Sequence, residues 1–370
     1  TKRADGTWRR QVASTVPTAL DSYGSANEAQ TDVETPGRPP PCHCTRTMRS
    51  YVAAACLVAT THALAAAPTT TPRAPLPFTS PKKVDEALRK NDPLLHLASR
   101  LIRDVNARRG VRSVYAWCRR ADDVADEAGV DSAQALARLD EIEADLRAAL
   151  QGAPRNAVDA GLAATFKSYP KLQIEPFLAM LDGMRSEQKP EVRFERFEPD
   201  LRLYCERVAG GVGLMLLPLL GAADASPDTK KRAVDLGVAI QLTNILRDVG
   251  GDAVDLNRVY LPLEDLRATG AQLDDVLVGR LTPEYVQTVE LQVQRARELY
   301  ASARLAVPEL PKSSRLVVYA IIELLEAIVD ELEKRGGDSL TRKLKPSTPA
   351  VLGALVRAVR QSYGGGGGND

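Results

Sequence analysis

Cysteine is scarce and unpatterned in this chain. Its 370 residues hold five, Cys42, Cys44, Cys56, Cys118 and Cys205, an odd number without paired spacing, which supports neither a disulfide framework nor a structural zinc site. Cys42 and Cys44 bracket His43 in "PCHC", but no second ligand pair follows. Net charge is equally thin. The 49 Lys and Arg against 48 Asp and Glu leave +1, so no global field draws the chain to nucleic acid, and none is expected as a partner. There is no P-loop, and no G-x-G-x-x-G opening a helix after a strand, so a nucleotide or a nicotinamide bound in that manner is not expected. Sustained apolar/polar alternation, the mark of half-buried strands, is also missing.

What is present divides the chain. Residues 1 to 47 mix "SANEAQ", "TPGRPPP" and scattered charges without apolar period, and read as a disordered or mistranslated leader. Residues 48 to 87 read as a targeting segment. "MRSYVAAACLVATTHALAAAP" has a basic residue, a short apolar run and small residues suited to cleavage. Thr60, Thr61 and His62 interrupt it well short of the about 20 apolar residues of a membrane span. The following "TTTPRAPLPFTSPKK" is rich in Thr and Pro and carries only basic charge. Together they are similar to the two-part address of algae whose plastids lie inside extra membranes; a signal peptide followed by a linker is the alternative. From 88 to 362 Leu and Ala dominate, and i, i+3, i+4 apolar spacing predicts helices over 132–150, 283–307 and 314–335. Pro154, Pro170, Pro190, Pro199, Pro262, Pro308 and Pro346 punctuate them. The expected fold class is all-α, a single helical bundle, with residues 363 to 370 a flexible Gly-rich tail.

Two stretches place acids where buried side chains belong. In "VYAWCRRADDVADE" (114 to 127), Asp122 and Asp126 lie four apart, on one helix face, continuing a stripe that contains Tyr115, Cys118 and Arg119. Like charges at that spacing disfavour a helix, and a lone pair of this kind is usually a solvated helix end. The pattern recurs, however, in "AIQLTNILRDVGGDAVDLNRVYLP" (239 to 262), where Asp248 and Asp252 share a face with Gln241 and Asn244 while Val238, Leu242, Ile245 and Val249 cover the other sides. Such a helix is not a solvent face; its polar stripe awaits a ligand. Two carboxylate pairs suit hard divalent ions, magnesium above all with manganese as a substitute, and magnesium prefers one or two carboxylates plus water and phosphate oxygens. Arg119, Arg120, Arg247 and Arg258 are candidate donors to those phosphate oxygens. A diphosphate substrate is therefore expected, the metal stabilising charge on the leaving group.

A third stretch, "YCERVAGGVGLMLLPLLG" (204 to 221), sets Gly210, Gly211 and Gly213 in an apolar helical run, where each costs about 1 kcal/mol against alanine. Bare helix surface permits close helix packing. It also leaves room for a long apolar tail, with Leu214, Met215 and Leu217 as candidate walls, and the two readings are compatible.

With "YAWCRRADDVAD", "YCERVAGGVGLM" and "QLTNILRDVGGDA...RVYLP" in order, and "EPFLAMLDGMR" (175 to 185) before the second, residues 90 to 345 resemble the squalene and phytoene synthase family, most closely in its phytoene-type wording. The resemblance implies a type I isoprenoid synthase bundle, magnesium dependence without a nicotinamide, and head-to-head joining of two geranylgeranyl diphosphates to phytoene. It implies metal binding by Asp122 and Asp126 for one diphosphate and by Asp248 and Asp252 for the other. Tyr204 would stand near the reacting carbons, and Gln241, Asn244 and Arg247 would line the second diphosphate site. It further implies a plastid location with peripheral membrane contact, and other carotenoid-pathway enzymes as partners. Shorter-tailed squalene or dehydrosqualene synthesis, and a non-catalytic assembly factor, are the alternatives; the four aspartates speak against the last. The chain departs from the family pattern at Gly251, where an acid is usual, in the longer "AVDLN" link, in "PLLHLASRLI", and in the turn "GGDSL" (336 to 340).

Overall fold

The structure, a computed structural model, describes residues 89, 99, 101–125, 130–342 and 344–364. The leader, nearly all of the targeting segment and Asp126 lie outside the described residues. The helices are α1 (Val105–Ala125), α2 (Ser132–Leu150), α3 (Ala157–Ser168), α4 (Glu175–Ser186), α5 (Arg202–Cys205), α6 (Gly211–Leu219), α7 (Pro227–Leu256), α8 (Leu263–Thr269), α9 (Leu273–Leu277), α10 (Pro283–Ala306), α11 (Lys312–Lys334) and α12 (Thr348–Gly364). The fold is all-α, as the periodicity requires. A single short parallel pairing departs from it among the described residues, Val192–Arg193 (β1) against Arg258–Val259 (β2). Two residues are too few to leave an alternating pattern in sequence. At the other end, α12 runs on to Gly364, two residues past the boundary read from the glycine tail.

Local chemistry starts and stops these helices. Asp131, Asn156, Ser226 and Thr282 each accept a hydrogen bond from a backbone N–H of the first turn of α2, α3, α7 and α10, and Pro227 and Pro283 follow the last two caps. Asn257, at φ 52°, closes α7 in the left-handed conformation that Asn tolerates better than most residues.

The longest described helix, α7, is the axis of the bundle. It packs against α6, α10 and α11, and every residue from 237 to 247 is buried. This fulfils the sequence argument that its polar stripe is not a solvent face. A π-helical turn, Glu206–Gly210, joins α5 to α6, and the crossing of this segment over α7 is close. A Cβ on Gly210 would approach Val234 Cγ1 to 2.8 Å, and one on Gly213 would run into the backbone carbonyl of Ala233. The glycines are thus spent on helix packing.

Buried ion pairs fasten the outer elements. Asp235 on α7 accepts from Arg202 (2.6 Å), Lys231 (2.9 Å) and Ser302 (2.8 Å), tying α5 and α10 to the axis. Glu323 on α11, 2% exposed, accepts from Arg357 (2.5 Å) and Gln361 (2.7 Å) of α12 and pairs with Arg304 (2.7 Å) of α10.

Candidate active site

The first acid segment forms the second half of α1. Tyr115, Cys118, Arg119 and Asp122 are all buried there, so the polar stripe does continue the core face. Asp122 is 5% exposed. Burial drives the Cys118 thiol far above its usual range and the neighbouring Asp122 adds to the effect, which leaves the thiol inert. For Arg119, burial works against the charge, but attraction and a 2.5 Å hydrogen bond to Asp123 outweigh it and raise its pKa.

Arg120 faces elsewhere. Its guanidinium donates to Asp145 of α2 (2.5 Å) and Asp159 of α3 (2.8 Å), bolting α1 to its neighbours. Sequence spacing put it beside Arg119 but carried no information about the two distant acids that hold it.

On α7 the second segment brings Gln241, Asn244, Arg247, Asp248 and Asp252 onto one buried strip. Gln241 and Asn244 are fully buried and Asp252 is 4% exposed. Neither amide atom of Gln241 has a hydrogen-bond partner, nor has Nδ2 of Asn244, whose Oδ1 accepts from Arg247 at 3.3 Å. Buried amide groups left this way cost free energy, so the strip is shaped for polar groups beyond the described residues. Arg247 also spans the carboxylate of Asp248, with Nε 3.0 Å from each oxygen. The Gly250 backbone N–H donates to Ser339 O (3.3 Å), so the turn "GGDSL" lies directly on the second acid segment. Gly251 is exposed with open space around it.

The strip's chemistry fits a hard cation. Asp248 and Asp252 supply carboxylate oxygens of the kind such an ion accepts, and among the described residues no group of three His, Cys, Asp or Glu side chains gathers around a common point.

A group that the sequence reading passed over stands beside Tyr204. Glu187, 1% exposed, follows the last residue of α4, and one of its oxygens accepts from the hydroxyls of both Tyr204 (2.5 Å) and Tyr260 (2.6 Å). The rings of Tyr204, Tyr260 and Phe194 touch one another, with centroids 5.2 to 5.9 Å apart. The short β1–β2 pairing brings Phe194 and Tyr260 there: Arg193 donates to Asn257 O (2.6 Å), and Leu263 N to Phe194 O (2.9 Å). Arg258 is half-buried within β2, opposite Val192. One signal for Glu187 was legible. An acid at a helix C-terminus opposes the helix dipole, a weak mark that many surface acids share.

Comparison with known proteins agrees with this geometry. The squalene/phytoene synthase family model matches residues 88–350. Phytoene synthase 1, chloroplastic, of Arabidopsis thaliana is 38% identical over 259 residues, 69% of this chain and 60% of that protein. Phytoene synthase 2, chloroplastic, of Solanum lycopersicum is also 38% identical, over 69% of this chain and 82% of that one. Among solved structures, a dehydrosqualene synthase in complex with ligand superposes with a TM-score of 0.67 at 29% identity, over 75% of this chain and 95% of that one. A squalene synthase from Alicyclobacillus acidocaldarius gives 0.62 at 28%, over 69% and 94%. With its acid segments buried in the same all-α architecture and the family model covering most of its length, the chain belongs to the squalene/phytoene synthase family.

Proposed function

We propose that the protein is a phytoene synthase of plastids, a prenyltransferase that joins two geranylgeranyl diphosphates head to head through a cyclopropyl diphosphate. The observation that carries this reading is the buried strip of α7, where Gln241, Asn244, Arg247, Asp248 and Asp252 share one face and the amides lack partners. The reading is supported by relatives named chloroplastic phytoene synthases at 38% identity, against 28 to 29% for the squalene-type structures.

In this reading Asp122 and Asp126 hold metal for one diphosphate and Asp248 and Asp252 for the other. Magnesium, or manganese in its place, stabilises the charge that develops on the departing diphosphate. The amides of Gln241 and Asn244 and the guanidinium groups of Arg119, Arg247 and Arg258 donate to its oxygens. Arg120, already held by two acids, and Gly210 and Gly213, used in the helix crossing, are left out of the substrate site. After the cyclopropyl intermediate ionises, the rearranged cation loses a proton to an oxygen of the departed diphosphate, with Tyr204, whose hydroxyl donates to Glu187, shaping or aiding that step. No hydride is required.

A long-tailed substrate and a product without polar groups call for membrane contact. No described helix is long and apolar enough to cross a membrane. On α12, however, Leu352, Val356, Val359 and Tyr363 form an exposed stripe at helical spacing beside exposed Arg360, a pattern suited to lying on an anionic lipid surface. Flotation of the full chain with phosphatidylglycerol vesicles, weakened in a Leu352→Ser, Val356→Ser variant, is the expected result; unchanged flotation removes this face from the reading.

The activity is tested by supplying geranylgeranyl diphosphate and magnesium with and without a reduced nicotinamide. Phytoene formed equally in both is expected. A requirement for the reductant, or a saturated central bond, overturns the proposal.

A further inference from the structure

We propose that Glu187 is a positioning residue for the second half of the reaction: its carboxylate fixes Tyr204 and Tyr260 as one aromatic wall with Phe194 and makes that wall more attractive to a carbocation. This rests on the function proposed above and on the place that the family resemblance implies for Tyr204, near the reacting carbons.

The geometry is unusual for a group that only packs. A carboxylate that is 1% exposed has lost nearly all contact with water, which is costly for an ion. Here a single oxygen accepts two phenol hydroxyls, at 2.5 and 2.6 Å. The two donors come from separate parts of the chain, α5 and the segment after β2, and both rings also contact Phe194, with centroids 5.2 and 5.9 Å away. Each hydroxyl is therefore pinned at its tip and each ring at its side, leaving little freedom of rotation.

The bond to the carboxylate also acts on the ring itself. Drawing the phenol proton toward a negative oxygen raises electron density in the ring, and a more negative π face attracts a cation more strongly. Two phenols share the same carboxylate oxygen, so one acidic group serves both rings. A carboxylate in direct contact with a carbocation would trap it as an ester. Acting through two phenols supplies the field without offering that nucleophile. The proposal assigns this wall to the rearrangement of the cyclopropyl intermediate rather than to diphosphate departure at the acid segments.

The test is Glu187→Gln, which keeps shape and acceptor oxygen but removes the charge, run beside the wild-type full chain on geranylgeranyl diphosphate and magnesium. The expected result is a KM within about threefold, phytoene formation lowered about tenfold, and accumulation of the cyclopropyl diphosphate, with Glu187→Asp recovering part of the rate. Tyr260→Phe, which removes one of the two hydroxyls and tests the same link if the Gln variant does not fold, is expected to shift the ratio of intermediate to phytoene in the same direction. A folded Glu187→Gln, or in its place Tyr260→Phe, with wild-type rate and no intermediate overturns the positioning role and leaves the proposed function standing. A wild-type chain that makes neither compound from prenyl diphosphates overturns both.

Discussion

Arg247 lies across the carboxylate of its own neighbour, Asp248, its Nε 3.0 Å from both oxygens, while another of its nitrogens reaches Asn244 Oδ1 at 3.3 Å. A helix seldom pairs adjacent residues, because side chains at i and i+1 diverge. Here both face a common strip, and the guanidinium supplies the positive charge that a half-desolvated acid needs. Replacing Arg247 by Gln leaves Asp248 without this partner. The expected cost is about 1.5–3 kcal/mol of stability without metal, the range for hydrogen bonds to charged groups. Millimolar magnesium should restore part of it, and turnover should fall by orders of magnitude. Thermal melting with and without magnesium measures the first two effects; a variant as stable as wild type in metal-free buffer contradicts the role given to the pair.

Acid should loosen the bundle at two points. Burial pushes the Asp235 carboxyl up, but hydrogen bonds from Lys231, Arg202 and Ser302 outweigh it and hold the group below its usual range. In Glu323, burial is likewise outweighed by Arg357, Arg304 and Gln361. A carboxyl with a depressed folded pKa contributes stability that is full above its unfolded value, about 3.9 for Asp and 4.3 for Glu, and that is lost as pH falls through the lower folded value. Melting temperature should therefore drop as pH falls below these unfolded values, and the drop should be shallower in Asp235→Asn and Glu323→Gln, which start from lower stability at pH 7. A slope unchanged in both variants would assign the acid sensitivity elsewhere.

Glycines in the same helical text should answer oppositely to alanine. A Cβ on Gly213 meets the backbone carbonyl of Ala233, which cannot yield without moving a helix, so Gly213→Ala should cost about 1–3 kcal/mol. Gly251 has open space around it inside a helix, where alanine is favoured by about 1 kcal/mol, so Gly251→Ala should be neutral or stabilising. Denaturant unfolding of the two variants decides; a stable Gly213→Ala would return that glycine to the substrate pocket.

The helices were legible because amphipathic spacing is local: the ranges read for α2, α10 and α11 differ from the structure by two residues at most. The buried strip of α7 was legible for the same reason, since Gln241, Asn244, Asp248 and Asp252 recur at helical spacing among Val238, Leu242, Ile245 and Val249 within one segment. What local pattern could not give was partners far along the chain. Arg120 looked equivalent to Arg119 until Asp145 and Asp159 were seen to hold it, 25 and 39 residues away. Glu187 carried no distinctive local mark of its role, because the two tyrosines on its oxygen lie 17 and 73 residues away. The glycines showed the need for bare surface, but only the crossing with α7 identified what approaches it.

The measurement that bears most directly on the whole account is a competition. Equal amounts of isotopically distinct farnesyl and geranylgeranyl diphosphates are given to the purified full chain with magnesium, and the hydrocarbons are resolved by mass. The account predicts that phytoene, built from two geranylgeranyl units, dominates, and that Asp122→Asn and Asp248→Asn each abolish it while helical content by circular dichroism stays unchanged. A product built mainly from two farnesyl units, or phytoene formed within a few-fold of wild type by both folded variants, would contradict it.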